Sequence, residues 1–564
     1  MGSRNGKRRR VLIRRRPVSR TDRRIGVLFA AFLCVFAVVA ARAVWLTTVR
    51  AGALRAQAQL QHDARVVEPG LRGPILDRRG RELAVSEEAV TVYANPFLIN
   101  RPAAVAARLA PLLRMSEQEI LARIADRKRG FVYLRRRLAP ELGERLRRLR
   151  IEGVGTLPEP RRVYPQGALA TQLLGAVGTD GYGLFGLEQA ADRWLRGRDG
   201  ARQVVRDALG QPLRTITLAR PRAGKTLRLT IDAVLQRQVE RVLADTGERY
   251  AARGATAVVV DPRDGAVLAL ANWPTASPER SLELGPEVRR NRAVQDTYEP
   301  GSTFKPFTVA AALSEGVISP LDSFDLPPTI RVADRVIGEA HPRGWERMSV
   351  ADILARSSNV GTVTIALRLG ARRFDRWMGR FAFGRPTGIG LPGESPGIVP
   401  RLREYSGSSI GNLPIGQGLA ITPLQLLAAY TALANHGVMH EPYVLAGRRK
   451  PGRRVLTPEV ADTVARMLEG VVGPSGTGSE AQIPGYRIAG KTGTSQKPDP
   501  LTGTYSHSRY VASFVGFAPV GKPRLLVLVA VDEPKGEIYG GAVAAPAFER
   551  IVSFALPYLG IPPS

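Results

Sequence analysis

The longest hydrophobic segment lies near the N-terminus, where residues 25–49 are apolar except for Arg42. About 20 apolar residues in a helix suffice to cross the hydrocarbon core of a bilayer, so we predict a transmembrane anchor over residues 25–49. Residues 1–24 contain eleven lysine and arginine residues. Such a block marks the cytoplasmic side of a membrane. We therefore expect residues 1–24 to form a basic cytoplasmic tail and the remainder of the chain to lie outside the cytoplasm.

Cleavage of this segment is an alternative, because Ala41-Arg42-Ala43 resembles a signal-peptidase site. The apolar region of a signal peptide usually has about 7–15 residues, which is shorter than this one. We therefore favour an uncleaved anchor.

Residues 50–222 alternate short helical and extended patterns. A short helix is expected at residues 51–65. Pro102 marks the start of a second helix, the capping box Ser116–Glu119 begins a third, and a fourth is expected near residues 140–149. No set of catalytic residue types comes together in this stretch. We predict that it is one α+β module.

Residues 223–564 begin and end with buried strand patterns. The segment 256–272 contains two apolar runs around a Pro/Asp/Gly turn, and two further apolar runs occupy residues 509–520 and 524–534. A helical pattern at residues 544–559 follows them. Strands at both ends of a helical middle predict an antiparallel sheet flanked by helices, which makes the fold class α+β.

Composition narrows the classes of function. The 564 residues are 44% hydrophobic and 23% charged, which are globular values. The net charge is +32, but the basic residues are not interleaved with aromatic residues. An envelope protein near anionic polymers is therefore favoured over a nucleic-acid-binding protein. Cys34 is the only cysteine, which excludes an intrachain disulfide. We expect no metal and no cofactor.

Three short motifs carry candidate chemistry. Ser302 and Lys305 belong to an S-x-x-K pattern, in which a lysine one helical turn later can take the proton of the serine hydroxyl. Ser357 and Asn359 form an S-x-N, and Lys491 begins a K-T-G. Each pattern alone is weak, whereas the three in this order are a strong signal.

Lysine is scarce in this chain, with nine lysines against 73 arginines. Arginine cannot act as a base in proteins, whereas burial and cationic neighbours can lower the pKa of a lysine. Lys305 and Lys491 therefore stand where proton-transfer chemistry would require lysine.

With these motifs the chain resembles the class B penicillin-binding proteins, which are peptidoglycan D,D-transpeptidases. Further support comes from RGPILDRRG at 72–80, FAFGRPTGIGLPGE at 381–394 and GQG at 416–418. The segment 532–548 is similar to the FtsI-type, division-specific branch. The resemblance implies a pedestal domain of the dimerisation type at 50–222 and a transpeptidase domain of the serine β-lactamase-like fold at 223–564.

The resemblance also implies roles for individual residues. Ser302 would attack the D-alanyl-D-alanine bond of a stem peptide and form an acyl-enzyme, with Lys305 as general base and Asn359 orienting it. Ser357 and Lys491 would relay a proton to the leaving D-alanine. The backbone N–H groups of Ser302 and Thr494 would form the oxyanion hole. The implied substrate-binding residues are Thr492, Gly493 and Thr494.

The same resemblance implies partners and a location. The partners are stem peptides that supply the D-alanyl-D-alanine donor and the acceptor amine, β-lactams, an FtsW-type glycosyltransferase, other division proteins and the membrane, without nucleic acid. The expected location is the cytoplasmic membrane at the division septum, with a single pass.

Three alternatives remain open. Residues 485–492 also fit a phosphate-binding loop, and residues 525–533 imitate the strand and acid of a magnesium site. A phosphate loop needs a helix directly after it, and glycine and prolines oppose one here, so we interpret both segments as strands lining the edge of the sheet. A serine β-lactamase could use Glu394 to activate water, although a turn residue is the simpler interpretation. A non-catalytic β-lactam sensor or scaffold has the same motifs.

Overall fold

The computed structural model describes residues 20–52, 63–206, 212–499 and 502–563. Residues 1–19 of the predicted basic tail and residues 53–62 of the predicted short helix lie outside the described residues. The last three residues of that predicted helix, 63–65, are extended instead and pair with a second strand. Helix α1 (Arg20–Thr48) has 29 residues, and an 18-residue window within Arg23–Thr48 has a mean hydropathy of 2.5. This apolar helix fits the predicted membrane anchor. The guanidinium of Arg42 lies 4.5 Å from the ring centroid of Trp45, a distance typical of a cation–π contact.

The remaining helices vary from single turns to long core helices. They are α2 (Pro102–Leu113), α3 (Glu117–Ile124), α4 (Pro140–Arg148), α5 (Thr171–Leu174), α6 (Gly186–Ala190), α7 (Asp192–Leu195), α8 (Ala233–Arg249), α9 (Pro278–Ser281), α10 (Pro286–Arg289), α11 (Arg292–Gln295), α12 (Lys305–Ser314), α13 (Val350–Ala355), α14 (Asn359–Leu369), α15 (Ala371–Arg380), α16 (Ser409–Asn412), α17 (Pro423–Ala434), α18 (Pro458–Val472) and α19 (Gly540–Tyr558).

The strands form several sheets. They are β1 (Asp63–Glu68), β2 (Ile75–Leu76), β3 (Glu82–Glu87), β4 (Val90–Ala94), β5 (Val132–Leu138), β6 (Val154–Pro158), β7 (Arg161–Val163), β8 (Gly200–Arg206), β9 (Pro212–Ala219), β10 (Leu227–Arg228), β11 (Gly254–Val260), β12 (Val267–Trp273), β13 (Ser323–Leu326), β14 (Thr329–Val332), β15 (Arg335–Gly338), β16 (Glu346–Ser349), β17 (Val438–Met439), β18 (Arg453–Arg454), β19 (Ala489–Pro498), β20 (Tyr505–Ala518) and β21 (Leu525–Asp532).

The chain divides into two compact units. The first contains Met1–Glu68 and Asp199–Arg220, and the second contains Pro69–Arg198 and Pro221–Ser564. In the first unit, β1, β8 and β9 form an antiparallel sheet in the order β1-β8-β9.

The N-terminal part of the second unit is a mixture of short sheets and helices, as the sequence predicted. Strands β5, β4 and β6 form one sheet, and helices α2 to α4 supply the apolar side chains that cover it, such as Leu109 and Ile120. The predicted capping box is formed in part, because the Ser116 hydroxyl accepts a hydrogen bond from the Glu119 N–H at 3.1 Å. Pro102 and Pro140 each begin a helix, where a missing N–H costs nothing.

The C-terminal part of the second unit is built on a five-stranded sheet in the order β12-β11-β21-β20-β19. All of its pairs are antiparallel. Helices α8 and α19 pack on one face, and a group of helices that includes α12 and α17 packs on the other. The predicted fold class, an antiparallel sheet flanked by helices, is confirmed.

One strand position was predicted wrongly. The segment 525–533 was expected at the edge of the sheet, but β21 is central and pairs with β11 on one side and β20 on the other. Its side chains from Leu525 to Val531 are all buried, and a strand that is apolar on both faces needs covering layers and partners on both sides. Strand β19 does lie at the edge, as predicted.

Candidate active site

Ser302 lies in a tight turn between the helical core and the edge strand. It is part of a 3-10 helix, Gly301–Phe304, that runs directly into α12. Gly301 has φ +54° and donates its N–H to the carbonyl of Gly416 at 3.0 Å. A Cβ at position 301 would overlap the hydroxyl oxygen of Ser495 on β19. Gly301 thus holds the turn that carries Ser302 close to the backbone at Gly416 and to the Ser495 side chain.

The Lys305 side chain is completely buried at the start of α12. Its Nζ donates to the backbone carbonyl of Ser357 at 2.5 Å and to Oδ1 of Asn359 at 2.7 Å. It also lies 3.2 Å from the Ser357 hydroxyl. A neutral amine has two N–H groups, so the Ser357 carbonyl and the Asn359 side-chain oxygen can accept both of them. The lone pair is then free to face the Ser357 hydroxyl.

Ser357 joins the two lysines. It lies between α13 and α14 in the left-handed region, at φ +58°, a conformation that a non-glycine residue adopts only under local constraint. Its hydroxyl is 2.9 Å from Nζ of Lys491 on β19. One hydroxyl therefore contacts the amines of two lysines that are far apart in the sequence.

Burial changes the acidity of both lysines. Desolvation lowers the pKa of Lys305 to about 7, opposed by the nearby carboxylate of Glu339. Desolvation also lowers the pKa of Lys491 well below its usual value, and the charge of Lys305 acts in the same direction. A substantial fraction of the Lys305 amine is therefore neutral near pH 7, which is the form that can accept a proton.

The predicted substrate-binding residues line β19, although they differ in exposure. The Thr492 side chain is nearly buried, with its hydroxyl 2.7 Å from that of Thr477. The Thr494 hydroxyl is partly exposed and accepts the N–H of Gly540, the first residue of α19, at 3.0 Å. The backbone of Gly493 passes close to Gly540. Thr477 and Gly540 were not foreseen from the sequence.

The structure brings the five predicted catalytic residues into one region. Ser302 precedes Lys305 by one short turn, and Lys305 contacts Ser357 and Asn359, which in turn meet Lys491 through the Ser357 hydroxyl. The Ser302 hydroxyl itself makes no hydrogen bond to any residue in the described ranges. It is partly exposed, so a substrate can reach it.

Glu339 is the functional residue that the sequence analysis missed. Its carboxylate accepts hydrogen bonds from the Ser358 hydroxyl and the Asn359 N–H, both at 2.6 Å, and pairs with Arg343 at 2.7 Å. Burial opposes its ionisation, yet these hydrogen bonds lower its pKa overall. It fixes the start of α14, which carries the S-x-N motif. No local pattern marks it, because it is 19 residues away from Ser358 and is followed by an irregular loop.

The contacts of Glu394 bear on the β-lactamase alternative, and those of Thr492 bear on the phosphate-binding-loop alternative. The Glu394 carboxylate accepts the N–H and the hydroxyl of Thr387, at 2.6 and 2.5 Å, and so closes a turn. Thr492 lies inside β19, which continues as a strand to Pro498, whereas a phosphate-binding loop requires a helix there. Among the described residues, no group of three or more His, Cys, Asp or Glu side chains could hold a metal ion.

Two protein-family models match successive parts of this chain. A family model described as penicillin binding protein transpeptidase domain matches residues 255–553. A second, described as penicillin-binding protein dimerisation domain, matches residues 67–229.

Individual relatives cover nearly the full length. The chain is 33% identical over 550 residues to the peptidoglycan D,D-transpeptidase FtsI of Escherichia coli strain K12, covering 96% of this chain and 92% of that protein. It is 34% identical over 583 residues to the penicillin-binding protein PbpB of Mycolicibacterium smegmatis, with 94% and 90% covered. A crystal structure of penicillin binding protein 3 from Mycobacterium tuberculosis, complexed with aztreonam, is similar with a TM-score of 0.70 and 30% identity, over 88% of this chain and 98% of that one.

Proposed function

The chain belongs to the penicillin-binding protein transpeptidase family, and from that premise we propose that it is a serine-type peptidoglycan D,D-transpeptidase that cross-links the stem peptides of septal cell wall. The observation that carries this proposal is the convergence of two buried lysines on the Ser357 hydroxyl, with Lys305 one short turn after Ser302. Relatives named as peptidoglycan D,D-transpeptidases support it.

In the acylation step the Ser302 hydroxyl attacks the carbonyl carbon between the two terminal D-alanines of a donor stem peptide. Neutral Lys305 takes the hydroxyl proton, while Asn359 holds the amine in place. The backbone N–H groups of Ser302 and Thr494 stabilise the negative charge on the carbonyl oxygen, a contribution often worth about 2.7–4 kcal/mol per donor. The Thr494 hydroxyl holds the terminal carboxylate.

The tetrahedral intermediate then collapses and the C–N bond breaks. The leaving D-alanine nitrogen receives a proton from the Ser357 hydroxyl, which regains one from Lys491 or Lys305 because both amines contact it. In the second half of the reaction, the amine of another stem peptide attacks the acyl-enzyme carbonyl. Its proton returns through the same groups to Ser302, so that the cross-link forms and the free enzyme is restored.

Covalent labelling with a penicillin tests the nucleophile. The full-length protein in detergent should gain one penicilloyl adduct, which peptide mass spectrometry should place on Ser302. Ser302→Ala should abolish the adduct. Ser314→Ala, a matched control at the end of α12 whose hydroxyl only bonds the backbone of its own helix, should retain it. An adduct on another residue, or none, would refute the assignment.

The lifetime of the adduct and a cross-linking assay separate the alternatives. A transpeptidase without a water-activating carboxylate should hold the penicilloyl group for many minutes. A β-lactamase would release it within seconds and would slow in Glu394→Ala. A sensor or scaffold would form the adduct but would not cross-link stem peptides when supplied with donor and acceptor.

The topology, location and protein partners are part of the proposal. The N-terminus is cytoplasmic, the domains after α1 are extracytoplasmic, and the protein acts at the septum with an FtsW-type glycosyltransferase and other division proteins. Protease added to intact spheroplasts should degrade the chain beyond Val49 and leave an N-terminal membrane fragment. Depletion should give long cells without septa. Rounded cells that still divide would contradict the division role.

A further inference from the structure

A cavity of about 520 Å³ lies in the transpeptidase domain and shares no residue with the catalytic site described above. It is bounded by the C-terminal half of α15, the first turns of α17 and the segment 439–453. Four arginines line it: Arg376, Arg380, Arg385 and Arg453. Its volume falls within the range of about 300–1,000 Å³ that is usual for small-molecule sites.

The charges around this cavity are unbalanced. Against the four arginines it has one acidic lining residue, Glu441, and that carboxylate already pairs with Lys450 at 2.5 Å. None of the four arginines has a carboxylate within ion-pair distance in the part of the chain that the structure describes. By contrast, Arg373, also on α15 but outside the cavity, pairs with Glu315 at 3.4 Å.

The fold brings all four arginines to the lining of this one cavity. Arg376 and Arg380 are four residues apart on α15, a spacing at which like charges repel. The Arg453 guanidinium donates to the backbone carbonyl of Arg380 at 2.6 Å, and the Arg380 guanidinium lies over the Trp377 ring at 4.6 Å from its centroid. These contacts fix two of the cations without neutralising either. A bound anion would relieve the repulsion among them.

The residues that line the cavity favour one class of anion. Its remaining lining is largely apolar and includes Phe381, Ala428, Met439 and Pro442, which leaves the guanidinium groups as the main hydrogen-bond donors. Guanidinium forks donate in pairs to the oxygens of phosphate and carboxylate groups. A planar carboxylate offers two oxygens, whereas a tetrahedral phosphate offers three or four in different directions. Several arginines around one concave site therefore match a phosphate better than a carboxylate.

We propose that this arginine-lined cavity binds a phosphate group. The same chemistry could be supplied by a free polyphosphate anion or by the headgroup of an anionic phospholipid. The site is separate from acyl transfer at Ser302, so either proposal can fail without the other.

The first experiment measures pyrophosphate binding by calorimetry, with the full-length protein in an uncharged detergent. We expect saturable binding at one site. The double variant Arg376→Gln/Arg385→Gln should bind at least tenfold more weakly. The matched control Arg101→Gln/Arg108→Gln removes two exposed arginines outside the cavity that have no carboxylate partner among the described residues, and its affinity should change less than twofold. Equal losses in both double variants, or no saturation, would overturn the proposal.

Two further measurements complete the test. Penicillin acylation at Ser302 should be the same in all three proteins, which shows that each is folded. Succinate should bind the wild type at least tenfold more weakly than pyrophosphate. Equal affinities would mean that the cavity accepts anions in general and would overturn the assignment to phosphate.

The source of the phosphate is distinguished in nanodiscs containing the full-length protein, at 0.15 M salt, where the screening length is about 8 Å. If a lipid headgroup fills the cavity, pyrophosphate should bind at least fivefold more weakly in discs with phosphatidylglycerol than in discs of phosphatidylcholine alone. If the ligand is a free anion, the two affinities should agree. If Arg376→Gln/Arg385→Gln binds pyrophosphate as tightly as the wild type in both kinds of disc, the cavity is not the binding site and the proposal is overturned.

Discussion

Replacing Glu339 by glutamine tests whether this carboxylate positions the catalytic S-x-N motif. One carboxylate oxygen accepts from the Ser358 hydroxyl and Arg343, and the other accepts from the Asn359 N–H at 2.6 Å. Glutamine keeps the shape but has only one acceptor oxygen. In either orientation of its amide, an NH₂ group faces a donor that the carboxylate satisfied.

The expected loss of acylation rate follows from these contacts. A hydrogen bond to a charged group contributes about 1.5–3 kcal/mol net. If about 2 kcal/mol of the positioning of Asn359 is lost, acylation by penicillin should slow about 30-fold, since 1.36 kcal/mol corresponds to a factor of ten in rate. The matched control is Glu346→Gln, which removes a carboxylate that pairs with Arg356 near the surface. It should leave the rate within about twofold of the wild type.

The pH dependence provides a second, independent readout for Glu339→Gln. Lys305 must be neutral to accept a proton, so acylation by the wild type should fall as the pH drops through the Lys305 pKa of about 7. The Glu339 charge raises that pKa, and removing it should lower the pKa further. The acidic limb of the variant should therefore move to lower pH while the maximal rate falls. An unchanged rate together with an acidic limb that stays in place would refute the positioning role of Glu339.

Two further substitutions test the backbone turn at the nucleophile and the lysine on the edge strand. Gly301→Ala should lower the free energy of unfolding by more than about 1–2 kcal/mol, the cost of a left-handed L-residue alone, because its Cβ would also overlap the Ser495 hydroxyl. The control is Gly316→Ala, at φ +66° with open space around it. In thermal unfolding it should lose less stability than Gly301→Ala, and it should keep full acylation. Lys491→Ala should slow acylation at least about tenfold, because the Ser357 hydroxyl loses a buried partner. The exposed Lys522→Ala serves as its control, and equal rates would contradict the proton relay.

Much of the fold was accessible from local patterns. The capping serine at position 116, the prolines that begin α2 and α4, and the aspartate that caps α8 at position 232 all act within one helical turn. Their effect depends on backbone groups next to them in sequence, so it can be predicted without knowledge of the tertiary structure. The position of β21 could not be predicted in this way. Its apolar run is compatible with several places in a sheet, and only the pairing with β11 and β20 fixes it at the centre.

The sequence by itself determined which residue types carry the chemistry and their order along the chain, because a nucleophilic serine and lysines that must lose a proton leave motifs that arginine cannot replace. Tertiary structure decided how they act together. The meeting of Ser357 with Lys491, separated by 134 residues, brings the two amines near each other. The low pKa of Lys305 comes mainly from its complete burial, and Glu339 opposes that shift through space. Burial and the field of a distant charge depend on which segments pack together, and that information is not contained in any local stretch of sequence.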